Sequence, residues 1–344
     1  MSKSAILLWI LCMLFLVSCR SNKVQSDNIA SENTVVTYLD SLSASKAIVE
    51  GDEDGFFDKI SIIDMAIQLK SEKEYASREE ALVEYKSYLR TEVMNWTDSE
   101  KILLNGIFDS IKMQIQRVNP SLMPDDIRLV KIRTNHYGPD VYYTRGKNIM
   151  IPENALYRQA AREMLEPVMI HETFHIISRY DKPLREKIYA LIGFFPHLKT
   201  LDIPKTITDM WLTNPDGIST DYYIQLTDGE SSTKAIPLIL SNKANFTLVN
   251  PSFFSYLQFD LFELDESTGK LLHGDNLVTT LTDGMMPGFF EQIKDNTQYI
   301  IHPDEIAADN FIYAITRSNI TDSKMFSEEG ADLVERLYWV LQEN

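Results

Sequence analysis

The spacing of apolar residues predicts helices in one part of the chain and strands in another. Between about residues 35 and 120, apolar positions recur at steps of three and four, as on one face of a helix. Ser77 followed by Glu80, and the run 96–100 (WTDSE), are typical helix starts. The same periodicity predicts three later helical segments, at about 153–180, in PLREKIYALIGF and from Pro303 to the end.

Short β-branched and aromatic runs between turn residues predict strands in two regions. The first region holds IRLVKI, VYYTRG and NIMIP. The second, at about 213–282, holds YYIQL, AIPLIL, FTLV and KLLHG, separated by Asn-Pro-Asp-Gly, Asp-Gly and Ser-Thr-Gly turns. Helices and strands in separate stretches indicate an α+β fold, with 213–282 as a β-rich insertion.

The first residues resemble the signal of a bacterial lipoprotein. An apolar run, Ala5 to Val17, is too short for a comfortable membrane span and ends in LVSC, which is similar to a lipobox. We therefore expect 1–18 to be a signal peptide, Cys19 to carry a membrane-anchoring lipid, and 19–35 to be a polar tether. The alternative is an uncleaved N-terminal anchor helix. If residues 1–18 are a lipoprotein signal peptide, the domain formed by 36–344 lies in the bacterial cell envelope. The absence of aspartate after Cys19 then favours the outer membrane over the inner membrane.

Composition narrows the class of protein and its partners. The 344 residues are 44% apolar and 24% charged, which is typical of a globular protein. The net charge of −17 argues against nucleic acid and against an anionic bilayer surface as partners. Both cysteines, Cys12 and Cys19, lie in the first 20 residues, so no disulfide framework holds the folded body.

The run His171-Glu172-Thr173-Phe174-His175 carries the strongest chemical signal. Histidines four apart on a helix differ by about 40° in direction, so both imidazoles can reach one metal ion. The glutamate between them can take a proton from a metal-bound water. We therefore predict one zinc ion per chain, with His171 and His175 as ligands.

A catalytic zinc site needs a third protein ligand, and two residues compete for this role. Glu305 lies in HPDEIAADNF, where Asp309 shares its helix face and could accept a hydrogen bond from a ligand histidine. Ala307 and Ala308 would let this helix lie close to the HETFH helix. Asp181 is the alternative, ten residues after His171. That spacing is the place of the third ligand in the metzincin pattern. The pattern also needs a methionine turn, which MMPG at 285–288 could supply, and a turn-forming glycine, where this chain has Ser178. Because the glycine is missing, we favour Glu305.

HETFH with Glu305-x-x-x-Asp309 downstream resembles the gluzincin metallopeptidases, the group that includes thermolysin-like enzymes. The resemblance implies a zincin-like core: a helical N-terminal part, a small mixed sheet, the HExxH helix and a C-terminal helix. In such enzymes an edge strand lies antiparallel to bound peptide and a second strand precedes the HExxH helix, an order that VYYTRG and NIMIP follow. The gap before Glu305 is wider than in thermolysin because the β-rich insertion intervenes.

The resemblance also implies hydrolysis of peptide bonds in a peptide or protein substrate. Zinc would activate a water molecule, and Glu172 would take its proton and deliver it to the leaving nitrogen. Tyr299 or His302 would donate a hydrogen bond to the oxyanion. Further candidates for that donor are Tyr180, Tyr222 and Tyr223. The remaining histidines are predicted to be surface residues: His136, His197 and His273.

Two other functions fit the same residues. The first is a non-catalytic binding lipoprotein whose metal site is structural or has decayed. A structural site does not need Glu172 between its ligands, which favours the enzyme. The second is a metal-dependent hydrolase that acts on another amide, such as one in the cell wall.

Overall fold

Helices and strands follow one another through residues 34–50, 53, 55–317 and 326–344, which a computed structural model describes. The helices are α1 (Ser41–Ala47), α2 (Phe56–Lys59), α3 (Ile62–Leu69), α4 (Arg78–Leu89), α5 (Asp98–Val118), α6 (Ala161–Tyr180), α7 (Lys182–Leu191), α8 (Lys205–Thr208), α9 (Met286–Ile293), α10 (Pro303–Thr316) and α11 (Glu328–Gln342). The strands are β1 (Val35–Tyr38), β2 (Val93–Met94), β3 (Asp126–Ile132), β4 (Tyr143–Arg145), β5 (Asn148–Pro152), β6 (Phe194–Pro196), β7 (Tyr222–Thr227), β8 (Ser232–Ser241), β9 (Leu257–Asp265) and β10 (Lys270–Leu271). The α+β class is confirmed.

The first sheet mixes parallel and antiparallel neighbours in the order β1-β3-β5-β4, with β2 paired to β3. Strand β3 runs parallel to β1 and β5, whereas β4 runs antiparallel to β5. Every residue of β5 is buried, because successive side chains enter opposite cores. Ile149 and Ile151 pack in the cluster that contains α6, and Met150 packs among the N-terminal helices. Strand β4 is the edge strand of this sheet.

Helix α6 carries the HETFH sequence through the interior. Its residues from Met169 to Ser178 are all buried, and α5, α10 and β4 pack around it. A helix covered on several sides needs apolar residues around most of its circumference, which explains the sequence EPVMIHETFHII. Pro167 lies inside this helix, not in its first turn.

The second sheet is antiparallel, in the order β10-β9-β8-β7-β6. It confirms a β-rich region within 213–282, although the sheet also takes in β6, and β7 begins only at Tyr222. Two details of the prediction are wrong. The run Phe246–Val249 forms no strand, because Thr247 bonds to the Tyr256 hydroxyl and Leu248 to Glu72 instead of to a neighbouring strand. The long strand β9 was not predicted.

The N-terminal part is helical from α1 to α5, as predicted, but it also contributes two short strands to the first sheet. Strand β1 begins at Val35, the last residue of the predicted tether, and pairs with β3. Residues 1–18 and Cys19 lie outside the described residues, so the signal peptide and the lipid anchor stay predictions. One compact unit, 33–344, holds both sheets. Within the described ranges, no helix is both long and apolar enough to cross a membrane.

Helix α5 begins at the predicted caps in 96–100, and its start is a complete capping box. The Thr97 hydroxyl accepts the Glu100 N–H, and the Glu100 carboxylate accepts the Thr97 N–H at 2.8 Å. At α4, Ser77 caps the Glu80 N–H, but the Glu80 carboxylate accepts from Ala76. The box is therefore complete only at α5.

Changing Thr97 to Ala should lower the free energy of unfolding by about 1 kcal/mol, because the Glu100 N–H loses its acceptor. Denaturant titration measures this difference. Ile102→Ala is a suitable control, since that side chain is 73% exposed on the same helix and should change stability by less than about 0.5 kcal/mol. Equal losses in the two variants would contradict the capping role.

Candidate metal centre

Helix α6 brings His171 and His175 to one face, with ring centroids 4.7 Å apart. Glu305, in the first turn of α10, lies opposite them. Its Oε2 atom is 3.0 Å from His171 Nε2 and 3.5 Å from His175 Nε2. The three predicted ligands therefore converge on one point, and His175 and Glu305 are both 0% exposed.

The close approach of α10 follows from its small side chains. Ala307 and Ala308 are fully buried in the core that α6 shares, as their size led us to expect. Pro303 occupies the first turn of α10, where a missing N–H costs nothing. Glu305 follows within that turn and so faces α6.

The outer ring nitrogens of both histidines are held by carboxylates of α10. His171 Nδ1 lies 3.0 Å from Asp309 Oδ1, as predicted for Asp309. His175 Nδ1 lies 2.6 Å from Asp304 Oδ2, which the sequence analysis missed. Asp304 also accepts from the Tyr189 hydroxyl at 2.6 Å. Such partners fix the imidazole orientation and leave Nε2 as the ligand atom.

These contacts keep both imidazoles charged in the metal-free protein. Burial opposes protonation of His171, but hydrogen bonds to Asp309 and Glu305 outweigh it and raise its pKa to about 10. The pKa of His175 is raised well above its usual value although burial opposes this, mainly by the charge of Glu305. The two histidines in turn hold the pKa of Glu305 below its ordinary range, against the effect of burial.

One buried atom indicates that this centre fits a metal ion. Among the described residues, His175 Nε2 has no hydrogen-bond partner, because its contact with Glu305 lacks hydrogen-bond geometry. Two imidazole nitrogens and one carboxylate oxygen form a donor set that suits zinc. His171, His175 and Glu305 can therefore hold a divalent cation.

Glu172 points to the same region from α6. Its Oε2 accepts a hydrogen bond from the Thr144 hydroxyl of β4 at 2.7 Å. A carboxylate oxygen of Glu172 lies within 4.8 Å of a ring nitrogen of His175 and of a carboxylate oxygen of Asp216. Burial raises the pKa of Glu172, although the charges of His175 and His171 lower it. A carboxyl with a raised pKa is suited to proton transfer near neutral pH.

A loop between β6 and β7, residues 213–219, supplies two groups that the sequence did not assign to the site. Asn214 Nδ2 donates to Glu305 Oε1 at 2.6 Å, which leaves Oε2 facing the histidines. The buried Asp216 accepts the Thr144 N–H of β4. The sequence Asn-Pro-Asp-Gly predicted a turn at this place, but it did not indicate which residues the turn contacts.

Asp181, the alternative third ligand, is not brought to this centre. Its Oδ1 caps α7 by accepting the Leu184 N–H at 3.0 Å, and its Oδ2 accepts from Asn344. Helix α6 continues through Ser178 to Tyr180, so the sharp turn of the metzincin pattern does not form. Met286 begins helix α9, so the run 285–288 does not supply a methionine turn beside the metal ligands.

Tyr299 and His302 have different surroundings. The Tyr299 ring stacks on His171 with a centroid distance of 6.2 Å and is 40% exposed. Burial of its hydroxyl, together with Glu305 and Asp216, raises its pKa well above 10, so it stays a donor. Both ring nitrogens of His302 are engaged: Nδ1 accepts the Asp304 N–H, and Nε2 donates to the Ser219 carbonyl. Its role as an oxyanion donor stays a prediction without further support.

The other candidate residues lie in separate hydrogen-bonded settings. His136 is 1% exposed and bonds to Tyr143, so its prediction as a surface residue is wrong. It fills a space among Tyr137, Tyr143 and Glu92 that its local turn sequence does not show. The remaining histidines and tyrosines bond as follows: His197 to two carbonyls, His273 to Thr206, Tyr180 to Glu53 and Tyr222 to Arg185. The Tyr223 ring contacts the Phe195 ring, and the Lys234 ammonium group lies over the Tyr223 ring.

No protein-family model, no curated protein and no solved structure matches this chain.

Glu305→Gln and His175→Ala should each lower zinc occupancy sharply, because each removes one of three ligands. Asp304→Asn should weaken zinc binding roughly 10–100-fold by loosening His175. Elemental analysis after dialysis against a graded zinc buffer measures this. Asp181→Asn is the control and should keep full occupancy. Loss of zinc in Asp181→Asn, with retention in Glu305→Gln, would show that the third ligand is misassigned.

Zinc binding at pH 7 should release about two protons, because both imidazoles are protonated in the metal-free protein. Zinc affinity should consequently fall as the pH is lowered. Calorimetric titration in buffers with different ionisation enthalpies counts the protons. Binding without proton release would mean that the histidines are neutral or that other groups bind the ion.

Proposed function

We propose that this protein is a zinc-dependent hydrolase of the metallopeptidase type, which cleaves an amide bond with Glu172 as its general base. The observation that carries the proposal is the position of Glu172. Its carboxylate lies next to the ligand His175, is held by Thr144, and is not needed to complete the His171–His175–Glu305 set.

Zinc bound by His171, His175 and Glu305 would polarise the scissile carbonyl and make a nearby water molecule more acidic. The rest of the chemistry belongs to side chains of the chain itself. Glu172 would accept the proton of the attacking water, since its raised pKa keeps the proton transferable. The same carboxyl would then give the proton to the leaving nitrogen.

Tyr299 is the residue best placed to stabilise the oxyanion. Its ring lies over His171, and its hydroxyl stays protonated because burial and neighbouring carboxylates raise its pKa. A neutral hydroxyl can donate a hydrogen bond to developing negative charge. Thr144 has a different part, because its hydroxyl already donates to Glu172 and keeps that carboxylate directed into the centre.

The zincin-like, gluzincin-type arrangement forms part of this proposal. The HETFH helix, a mixed sheet with an edge strand, and a later helix that carries Glu305 and Asp309 support it. With Cys19 as the site of lipid attachment, the hydrolase would act at the bacterial cell envelope.

Glu172→Gln should keep zinc and thermal stability but lose amide cleavage by about 10⁴-fold or more, because one group serves as both base and acid. The measurement is the rate of cleavage of short peptides and cell-wall amides, together with zinc content. Glu163→Gln is the matched control, since Glu163 lies exposed in the first turn of the same helix. A zinc-loaded wild type that cleaves none of these amides would instead favour the binding lipoprotein.

A further inference from the structure

The outward-facing backbone of edge strand β4 is already occupied by the chain itself. In the antiparallel pairing of β4 with β5, Thr144 lies opposite Ile149. The Thr144 N–H donates to the Asp216 carboxylate, and the Thr144 carbonyl accepts from Arg179 at 3.2 Å. Both groups therefore point away from β5. They are the positions at which an extended peptide would add to the sheet.

The same contacts extend along the edge. Arg179, on α6, also donates to the carbonyl of Gly146 at 3.3 Å, in the turn that follows β4. Its guanidinium reaches the loop as well, through the carbonyls of Pro215 and Asp216 at 3.4 and 3.1 Å. Arg179 thus holds the 213–219 loop against the outer edge of β4.

Contacts on both sides hold the 213–219 loop in this place. From the N-terminal helices, Asp64 accepts the Thr213 N–H at 2.8 Å and Lys59 donates to the Ile218 carbonyl at 3.0 Å. At α10, His302 donates to the Ser219 carbonyl at 2.9 Å.

Gly217 lies so close to His302 that a Cβ atom there would be 2.0 Å from Nδ1. Together with Asn214, which bonds to Glu305, this makes the loop a fixed part of the centre. The loop does not have the loose attachment of a lid.

The metal centre is correspondingly closed on the loop side. Asp216, Glu172, His175 and Glu305 are all buried, whereas Tyr299 and Asp309 are partly exposed. Access from solvent is therefore on the Tyr299 side of His171.

We propose that the 213–219 loop excludes extended peptides from β4, so that the substrate is a short amide with few residues on either side of the scissile bond. Asp216 is the specificity-determining residue, because it occupies the Thr144 N–H. This inference rests on the proposed hydrolase function and adds the class of substrate. It favours small peptides and acylated amino acids over internal bonds of long chains.

The test compares two probes of the zinc-loaded protein by calorimetric titration: a single amino acid hydroxamate, and an octapeptide that ends in the same hydroxamate. In the wild type the two dissociation constants should agree within about threefold, since the extra residues find no strand to pair with. In Asp216→Ala the octapeptide should bind about tenfold more tightly than the short probe, because the Thr144 N–H of β4 is released and can donate to the peptide.

Two variants serve as controls. Asp216→Asn keeps an oxygen that can accept the Thr144 N–H, so the ratio of its two dissociation constants should match that of the wild type. Asp221→Ala removes an exposed carboxylate just after the loop, which accepts from the Ser219 hydroxyl, and should also leave the ratio unchanged. A wild type that binds the octapeptide more than tenfold more tightly than the short probe, or that binds neither, would overturn the proposal.

Hydrogen exchange of the Thr144 amide tests the loop without zinc or activity. In the metal-free wild type this amide should exchange slowly and at the same rate with or without excess octapeptide, and it should exchange faster in Asp216→Ala. Slowing by the octapeptide in the wild type would show that the loop gives way and would contradict the inference. If Glu172→Gln cleaves normally while Thr144 stays protected, the mechanism is wrong but the exclusion of extended chains stands.

Discussion

The structure depends on the contact between α6 and α10, where two imidazoles and several carboxylates are buried together. Burying an ionised side chain costs several kcal/mol unless opposite charge and hydrogen bonds compensate for it. Here His171 and His175 face Glu305 with their inner nitrogens, and Asp309 and Asp304 take the outer ones. A divalent cation that replaces the two imidazole protons leaves the net charge of this cluster unchanged, so protons and metal compensate the buried carboxylates equally.

The second sheet matters to the contact between α6 and α10 because the 213–219 loop, which precedes β7, lies against the candidate metal centre. Asn214 orients Glu305, and Asp216 bonds to the edge strand and lies close to Glu172. Elements far apart in the sequence therefore meet at the candidate metal centre, where a side chain of one element orients a side chain of another. Gly217 and His302 illustrate how tightly they pack, since only a residue without Cβ fits there.

Much of the fold and of the ligand set could be predicted from local patterns. The pattern of EPVMIHETFHII predicted α6, and the cap at Thr97 predicted the start of α5. Both signals are local, because helix formation responds to neighbours three and four residues away. The prediction failed where partners are distant. Strands β1 and β2 are too short to show a pattern and exist only because β3 pairs with them. The run at Phe246 has strand composition but no strand beside it.

The sequence by itself determined which residues can bind a metal, since histidines four apart on a helix share a face whatever surrounds them. It favoured Glu305 over Asp181 as the third ligand but left both open, because spacing along the chain does not measure distance in space. Only the tertiary structure brought α10 against α6 and turned Asp181 into the cap of α7. It alone also placed Asp304, Asn214 and Asp216 at the centre, since each acts through a residue more than 70 positions away.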